Sequence, residues 1–82
     1  DAWWVKLNGK IPLIIQGGKA INSFTYPISC TPISAWLTKN NWGWADNPYI
    51  ETLTNNQVTW KLANDHNYII DNVNCFVVVI GF

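Results

Sequence analysis

The stretch Tyr49-Ile50-Glu51-Thr52-Leu53-Thr54-Asn55-Asn56-Gln57-Val58-Thr59-Trp60-Lys61-Leu62 decides the fold class. Val58, Trp60 and Leu62 alternate with Gln57, Thr59 and Lys61. That period of two places the apolar residues on one face of a strand and leaves the other face wet. Asn55-Asn56 supplies a tight turn, so Tyr49 to Thr54 and Gln57 to Leu62 read as a hairpin. The pattern continues outward in both directions. No segment holds a helical apolar period for a dozen residues, β-branched and aromatic residues dominate, and turn residues recur at short intervals.

Working outward, Trp3 to Leu7 reads as a first strand, with Asn8-Gly9 as a type I′ turn whose two central residues need positive φ. Ile11 to Gln16 returns, and Pro12 belongs at a sheet edge or a bulge because proline donates nothing to the ladder. Gly17-Gly18 reads as the next break. Ala20 to Ser29 reads as one long strand, with Ile21, Ser23 and Thr25 on one face, Asn22, Phe24 and Tyr26 on the other, and a bulge at Pro27. Thr31-Pro32 marks a short turn and Ile33 to Thr38 a strand. Lys39 to Pro48 is the one clear long loop. Ala63 to Asn74 is polar and mostly loop, interrupted by Tyr68-Ile69-Ile70. Cys75-Phe76-Val77-Val78-Val79-Ile80 is apolar on both sides and so reads as a central strand. One of its sides faces the core, and the other a second sheet or a neighbouring subunit. The expectation is an all-β chain, a small antiparallel β-sandwich of six or seven strands forming a single domain over residues 1–82.

With 82 residues and 9.3 kDa there is room for one core only. Hydrophobic residues make up 49% and charged residues 12%, and five Lys against five acids leave no net charge. Without Arg or a cationic excess, nucleic-acid binding is disfavoured, since its affinity comes mainly from cations on phosphates. A basic membrane-surface helix is disfavoured for the same reason. No apolar run approaches the ~20 residues that span a bilayer, so membrane insertion is not expected. Six Trp, three Tyr and three Phe make the chain far too apolar for disorder. A lone domain of this size leaves much of that apolar surface wet, and low charge removes the usual solubility device. A second burial step, oligomerisation, is therefore the expectation, with a poorly charged monomer as the alternative. The opening Asp1-Ala2-Trp3-Trp4, already strand-like, reads as a piece cut from a longer chain.

Chemistry is sparse. His66 sits in the polar loop Asn64-Asp65-His66-Asn67 and reads as an exposed loop residue before it reads as a base or ligand. No Ser lies in a nucleophile elbow. The acids Asp1, Asp46, Glu51, Asp65 and Asp71 show no pairing of the kind a glycosidase needs, and they are too few for a calcium cage. Gly17-Gly18-Lys19 lacks the upstream glycine and the helix of a phosphate loop and reads as a turn. Cys30 and Cys75 show no zinc spacing. They could form one disulfide in an oxidising compartment, but each sits in an apolar strand-like run, which favours buried free thiols. The expectation is no metal, no cofactor and no catalysis.

The informative feature is a loop rich in aromatics. Trp42, Trp44 and Tyr49 surround Gly43, Asp46, Asn47 and Pro48. A flat indole stacks on the C–H face of a pyranose, and neighbouring Asp and Asn side chains bond its hydroxyls. The competing reading folds these Trp back as a lid over the sandwich or packs them between subunits. Trp3, Trp4, Trp36 and Trp60 lie in strands and read as core or interface. Trp3 and Trp4 are adjacent, point to opposite faces, and cannot both enter the core. Asn, about one residue in seven, supplies turns and an uncharged polar surface.

Three segments resemble the C-terminal tips of phage tail fibres. Trp4-Val5-Lys6-Leu7-Asn8-Gly9 followed by Leu13-Ile14-Ile15-Gln16-Gly17-Gly18 resembles a phrase of the form k-L-p-x-G-l-I-i-Q-w-G, with Gly17 where an aromatic is usual and two extra residues after Gly9. Phe24-Thr25-Tyr26-Pro27-Ile28-Ser29 is similar to t-F-P-i-a-F, with Tyr26 in place of Phe and Cys30 in place of the second Phe. Cys75-Phe76-Val77-Val78-Val79-Ile80-Gly81-Phe82 is similar to the closing f-x-W-i-A-i-G-y. The three fall in order along the chain; the middle, with its Trp-rich loop, has no counterpart.

The resemblance implies a compact β-sandwich related in shape to the snail-type H lectins, assembled as a parallel homotrimer at the distal end of a fibre in the virion. It implies an adhesin that binds a bacterial surface glycan, lipopolysaccharide or outer-membrane protein. It also implies assembly in the bacterial host cytoplasm, which supports free thiols. Recognition falls to Trp42, Trp44, Asp46, Asn47 and Tyr49, with Asn64, Asp65, His66 and Asn67 as a second loop, and avidity from three copies compensates for weak single sites. A phage-derived particle such as a tailocin fits equally. The other classes are a secreted carbohydrate-binding lectin or defence protein with a Cys30–Cys75 disulfide, and a purely structural module that trimerises a fibre.

Overall fold

The structure, a computed structural model, describes residues 2–39, 48–63, 69–70 and 74–82. These residues form eight strands and no helix: β1 (Trp3–Leu7), β2 (Leu13–Ile21), β3 (Ser23–Thr25), β4 (Pro32–Lys39), β5 (Pro48–Leu53), β6 (Gln57–Ala63), β7 (Ile69–Ile70) and β8 (Asn74–Gly81). They make two antiparallel sheets, a four-stranded one in the order β1-β2-β8-β4 and a three-stranded one in the order β3-β6-β5, with β7 paired to β6. The expected all-β, sandwich-like architecture is present, with the last strand central in its sheet.

The core lies between the sheets. Ile14 of β2 and Cys75, Val77 and Val79 of β8 come from the larger sheet, with Ala35 and Leu37 of β4 beside them. Phe24 of β3 and Val58 and Trp60 of β6 come from the smaller one. Tyr26 and Cys30 close the core from the connection between β3 and β4. The alternation is regular in β8, where Cys75, Val77, Val79 and Gly81 are buried and Phe76 is exposed. Only Trp60 of the strand tryptophans reaches the core; Trp3, Trp4 and Trp36 are about half exposed. Trp4 stands opposite Gln16, on the inner side of the sheet, yet stays open because the three-stranded sheet does not extend over the edge strand β1.

Four local expectations need correcting. Asn8-Gly9 is not a type I′ turn. Asn22 is the one non-glycine residue with positive φ among those described, Gly9 is not left-handed either, and the ladder resumes only at Leu13 opposite Leu7. Pro12 cannot donate to the ladder, so residues 8–12 all fall in the loop. Gly17-Gly18 is not a break but the buried middle of β2. A Cβ on Gly17 would run into the Val77 carbonyl oxygen and lie 2.8 Å from Cζ2 of Trp3, which stands directly opposite. The glycine is there for close approach. The long strand from Ala20 to Ser29 is broken at Asn22, whose φ of 61° turns the chain from one sheet to the other. Its side chain holds the crossover: Asn22 Nδ2 donates to the Trp60 carbonyl oxygen (3.0 Å) and the Trp60 N–H donates to the Asn22 carbonyl oxygen (2.9 Å). Thr31-Pro32 is not a turn, since Thr31 and Phe82 exchange backbone hydrogen bonds and Pro32 opens β4, with the bulge falling between Pro32 and Ser34.

The hairpin that sets the fold class forms as read. Leu53 faces Val58, and the Thr54 N–H donates to the Gln57 carbonyl oxygen (2.9 Å) around Asn55-Asn56. The Thr54 hydroxyl accepts from the Gln57 N–H (3.1 Å), closing the turn with a side chain in place of a carbonyl. Glu51 forms a bulge in β5 and pairs with Lys61 at 3.2 Å on the open surface, a contact worth little.

Candidate functional site

Of the residues expected to bind a receptor, Tyr49 alone is described. It is the second residue of β5, stands opposite Lys61, and is exposed. Trp42, Trp44, Asp46 and Asn47, and Asn64, Asp65, His66 and Asn67, lie outside the described residues. The strands do fix where both loops depart. Lys39, which ends β4, faces Cys75 at the start of β8, and Pro48, which opens β5, faces Leu62 near the end of β6. Ala63 faces Ile69, and only three residues separate Ile70 from Asn74, a reach of at most about 14 Å. Residues 40–47 and 64–68 therefore leave from one end of the molecule.

The opposite end is built from different chemistry. Asn8, Ser29, Asn55 and Asn56 gather there with Thr54. The Ser29 hydroxyl lies 3.1 Å from the Asn55 carbonyl oxygen and 3.0 Å from Asn56 Oδ1, while the Tyr26 and Cys30 N–H groups donate to Asn56 and Asn55 carbonyls. This end carries exposed polar groups held by their own hydrogen bonds, together with exposed Leu7, Leu53 and Phe82.

Beneath it lies a buried clamp that sequence reasoning did not single out as structural. Gln16 is fully buried in β2. Its Nε2 donates to the Ile28 carbonyl oxygen (2.6 Å), and its Oε1 accepts from the Ile28 N–H (2.9 Å), so the side chain serves the 26–31 connection as a strand backbone would. Nε2 also lies 3.5 Å from Cys30 Sγ. A Gln inside an apolar strand run was the visible signal.

The larger sheet turns a second, unexpected feature to solvent. Trp3, Val5 and Leu7 project from its outer face with Leu13 and Ile15, and with Phe76, Val78, Ile80 and Trp36 across the register. Beside the bare backbone at Gly18 this face has a hollow of about 380 Å³, walled by Trp3 on one side and Phe76 on the other, with Lys19 at its rim. Lys19 Nζ is 5.9 Å from the Phe76 ring centroid.

Titration is perturbed at two buried groups. Burial pushes the Tyr26 phenol up to about 12, helped by the neighbouring Cys30, and its hydroxyl has no hydrogen-bond partner among the described residues. Burial also raises the Cys75 thiol, against a smaller opposing effect of Lys39. Neither group opens onto the hollow, so these are core effects and not a tuned acid or base. The cysteines are free and buried. Cys30 packs beside Gly81, whereas Cys75 begins the same strand six residues earlier, a separation of about 20 Å. A disulfide spans about 6 Å between Cα atoms, so the Cys30–Cys75 bridge of the secreted-lectin reading is out of reach.

Among the described residues no three His, Cys, Asp or Glu side chains are grouped to hold a metal, and no helix is long and apolar enough to cross a membrane. No family model, curated protein or solved structure matches this chain.

Proposed function

We propose that the chain is the receptor-binding tip of a phage or phage-derived tail fibre, a non-enzymatic adhesin acting as a homotrimer and recognising a bacterial surface glycan or lipopolysaccharide. The observation that carries this reading is that the three segments resembling fibre tips pack as one unit. Gln16 of the first segment is bonded to Ile28 of the second, and β8, the third, is paired with β2 along its length. The common departure of the two loops supports glycan recognition at that end, where Tyr49 already offers an exposed ring beside Lys61.

A second placement of the receptor site is favoured by the direction of β1. Trp3 faces Gly17 and Leu7 faces Leu13, so the chain enters this strand from the loop side and runs toward the polar end that bears Asn8, Ser29, Asn55 and Asn56. On that reading the polar end meets the receptor.

Binding to a panel of immobilised bacterial lipopolysaccharides separates the placements. Trp44→Ala and Tyr49→Ala abolish binding if the loop end is the site; Asn55→Ala with Asn56→Ala abolishes it if the polar end is. A stable assembly of the wild-type chain that binds neither lipopolysaccharide nor intact bacteria overturns the adhesin and leaves a structural trimerisation module.

A further inference from the structure

We propose that the outer face of the four-stranded sheet is the surface this chain buries against further copies of itself, with the hollow between Trp3 and Phe76 receiving an aromatic side chain of the neighbouring copy. The number of copies rests on the homotrimeric tip reading; the face does not.

The register builds the face row by row. Trp3, Gly17, Val78 and Trp36 lie in one row across the sheet, and Val5, Ile15, Ile80 and Ser34 in the next. Trp3 is 43% exposed, Phe76 49% and Trp36 52%; Phe76 stands on the central strand β8 and the two tryptophans on the edge strands, all on a solvent-facing side where a monomer would place polar side chains. The exposed side chains of Trp3, Val5, Leu7, Phe76 and Trp36 make one apolar surface that spans the sheet from β1 to β4. Extended apolar patches of this kind on a soluble chain mark interaction surfaces.

Three properties select a second copy as the occupant. The face is self-complementary: it carries both a hollow of about 380 Å³ and, on the same surface, a projecting indole at Trp36. Identical subunits related by a closed symmetry need such a pair of features on one molecule. Its polar members are few, namely Lys19, Ser34, Thr38 and Asn74, and Lys19 already leans over the Phe76 ring, so no charge pattern calls for an oppositely charged partner or an anionic lipid surface. The chain carries no net charge, so copies do not repel one another. Gly17 lets the Trp3 ring, one wall of the hollow, lie close over the strand: a Cβ there would stand 2.8 Å from Cζ2 of that ring.

The test is the solution mass of the full chain by light scattering across a dilution series, for the wild type, Trp36→Lys, Val5→Lys and the control Ile11→Lys. Ile11 is the most exposed large apolar residue among those described and lies in the 8–12 loop, off this face. Circular dichroism checks that each variant keeps its strands. The expected result is an assembled wild type, a control that matches it, and face variants whose dissociation midpoint rises at least 100-fold in concentration. If Trp36→Lys fails to fold, Val5→Lys, on the edge strand, carries the comparison. A wild type that is monomeric at every concentration, or face variants with unchanged mass, overturns the proposal, as does a monomer that binds lipid vesicles through this face. Lipopolysaccharide binding is read separately. An assembly that persists in the face variants with binding intact refutes the face alone, while an assembly lost as expected in a chain that binds no bacterial surface refutes the tip reading alone.

Discussion

The side-chain amide of Gln16 exchanges two hydrogen bonds with the backbone of Ile28, twelve residues along the chain and on the far side of a change of sheet. The amide does for Ile28 what a neighbouring strand would do. Residues 26–31 carry Pro27 and lie between β3 and β4; Tyr26 and Cys30 donate to the 55–56 turn and Thr31 pairs with Phe82, while Ile28 is met from beneath by Gln16. Gln16 supplies it without a charge, because an amide both donates and accepts.

Gln16→Leu keeps the volume and removes the clamp. The Ile28 N–H and carbonyl then lose their partners in a part-buried setting, each worth about 1–3 kcal/mol when left unmade. We expect a loss near 3 kcal/mol in urea unfolding and a shift of the 26–31 segment seen by amide exchange. Gln16→Glu is expected to be worse at neutral pH than in mild acid, since a carboxylate cannot donate to the Ile28 carbonyl. A Leu variant as stable as wild type removes the clamp from this account.

Gly17→Ala has the unusual sign for a glycine in a strand, where adding a methyl normally helps by about 0.5–1 kcal/mol. Here the Cβ meets a backbone carbonyl at Val77 and the Trp3 ring at 2.8 Å. The ring can move but the carbonyl belongs to the central pairing of the sheet, so we expect a loss of about 1–3 kcal/mol. For a domain of this size each lost kcal/mol lowers Tm by about 4–8 °C. Combining it with Trp3→Ala should relieve only part of the loss. A double variant restored to the stability of Trp3→Ala alone would show that the Val77 contact is not the cause.

The strands were legible where side chains alternate: Val58 and Trp60 against Gln57 and Lys61, and the doubly apolar β8. What could not be read was how much of each face a second layer covers. Trp3, Trp4 and Trp36 carry the same apolar signal as Trp60, yet only Trp60 lies between the sheets: Trp3 and Trp36 are on the outer face of the larger sheet, and Trp4 is on the inner side of the edge strand β1, which the smaller sheet leaves uncovered. Glycines misled for a related reason. Gly17 punctuates the sequence as a turn does, but its role is to admit an indole across the strand, which depends on a register that local pattern does not encode. Asn22 shows the reverse: a strand-like run hid a left-handed residue that Asn tolerates better than other side chains. Of the candidate site, Tyr49 alone falls among the described residues, on β5.

Asn22 offers a paired test of backbone against side chain. Asn22→Gly removes the bond to the Trp60 carbonyl and keeps easy access to φ near 61°, whereas Asn22→Ala loses the bond and strains the backbone as well. The bond is worth about 1 kcal/mol and the left-handed conformation of Ala a further 1–2 kcal/mol. Ala should therefore unfold at lower urea than Gly. Equal midpoints would mean that the crossover geometry relaxes.

Both thiols are expected to resist a disulfide-exchange reagent in the native protein and to react fully in denaturant, at two per chain. Burial removes access and, for Cys75, also disfavours the reactive thiolate. Reaction of fewer than two thiols in the denatured, unreduced protein would indicate a bridge to another chain, because the strand geometry already separates Cys30 from Cys75 within one.

Tyr26 predicts the shape of the alkaline limb. Its phenol ionises near 10 when unfolded and near 12 in the folded chain, where burial disfavours the anion. Below pH 10 both states keep the proton and the group adds nothing to the pH dependence. Between 10 and 12 the unfolded state sheds it first, so stability falls as pH rises through this window and levels beyond it. Cys75 acts in the same direction and begins nearer pH 9, its thiol being raised as well. Tyr26→Phe isolates the phenol. At pH 7 it removes a buried hydroxyl that has no partner among the described residues, so we expect stability unchanged or higher by about 1 kcal/mol. From pH 10 to 12 its unfolding midpoint should decline less steeply than that of the wild type, while the contribution of Cys75 cancels in the comparison. Parallel curves for the two proteins through that window would mean that the folded phenol ionises as freely as the unfolded one, and that Tyr26 does not sit in the dry core that places it beside Cys30.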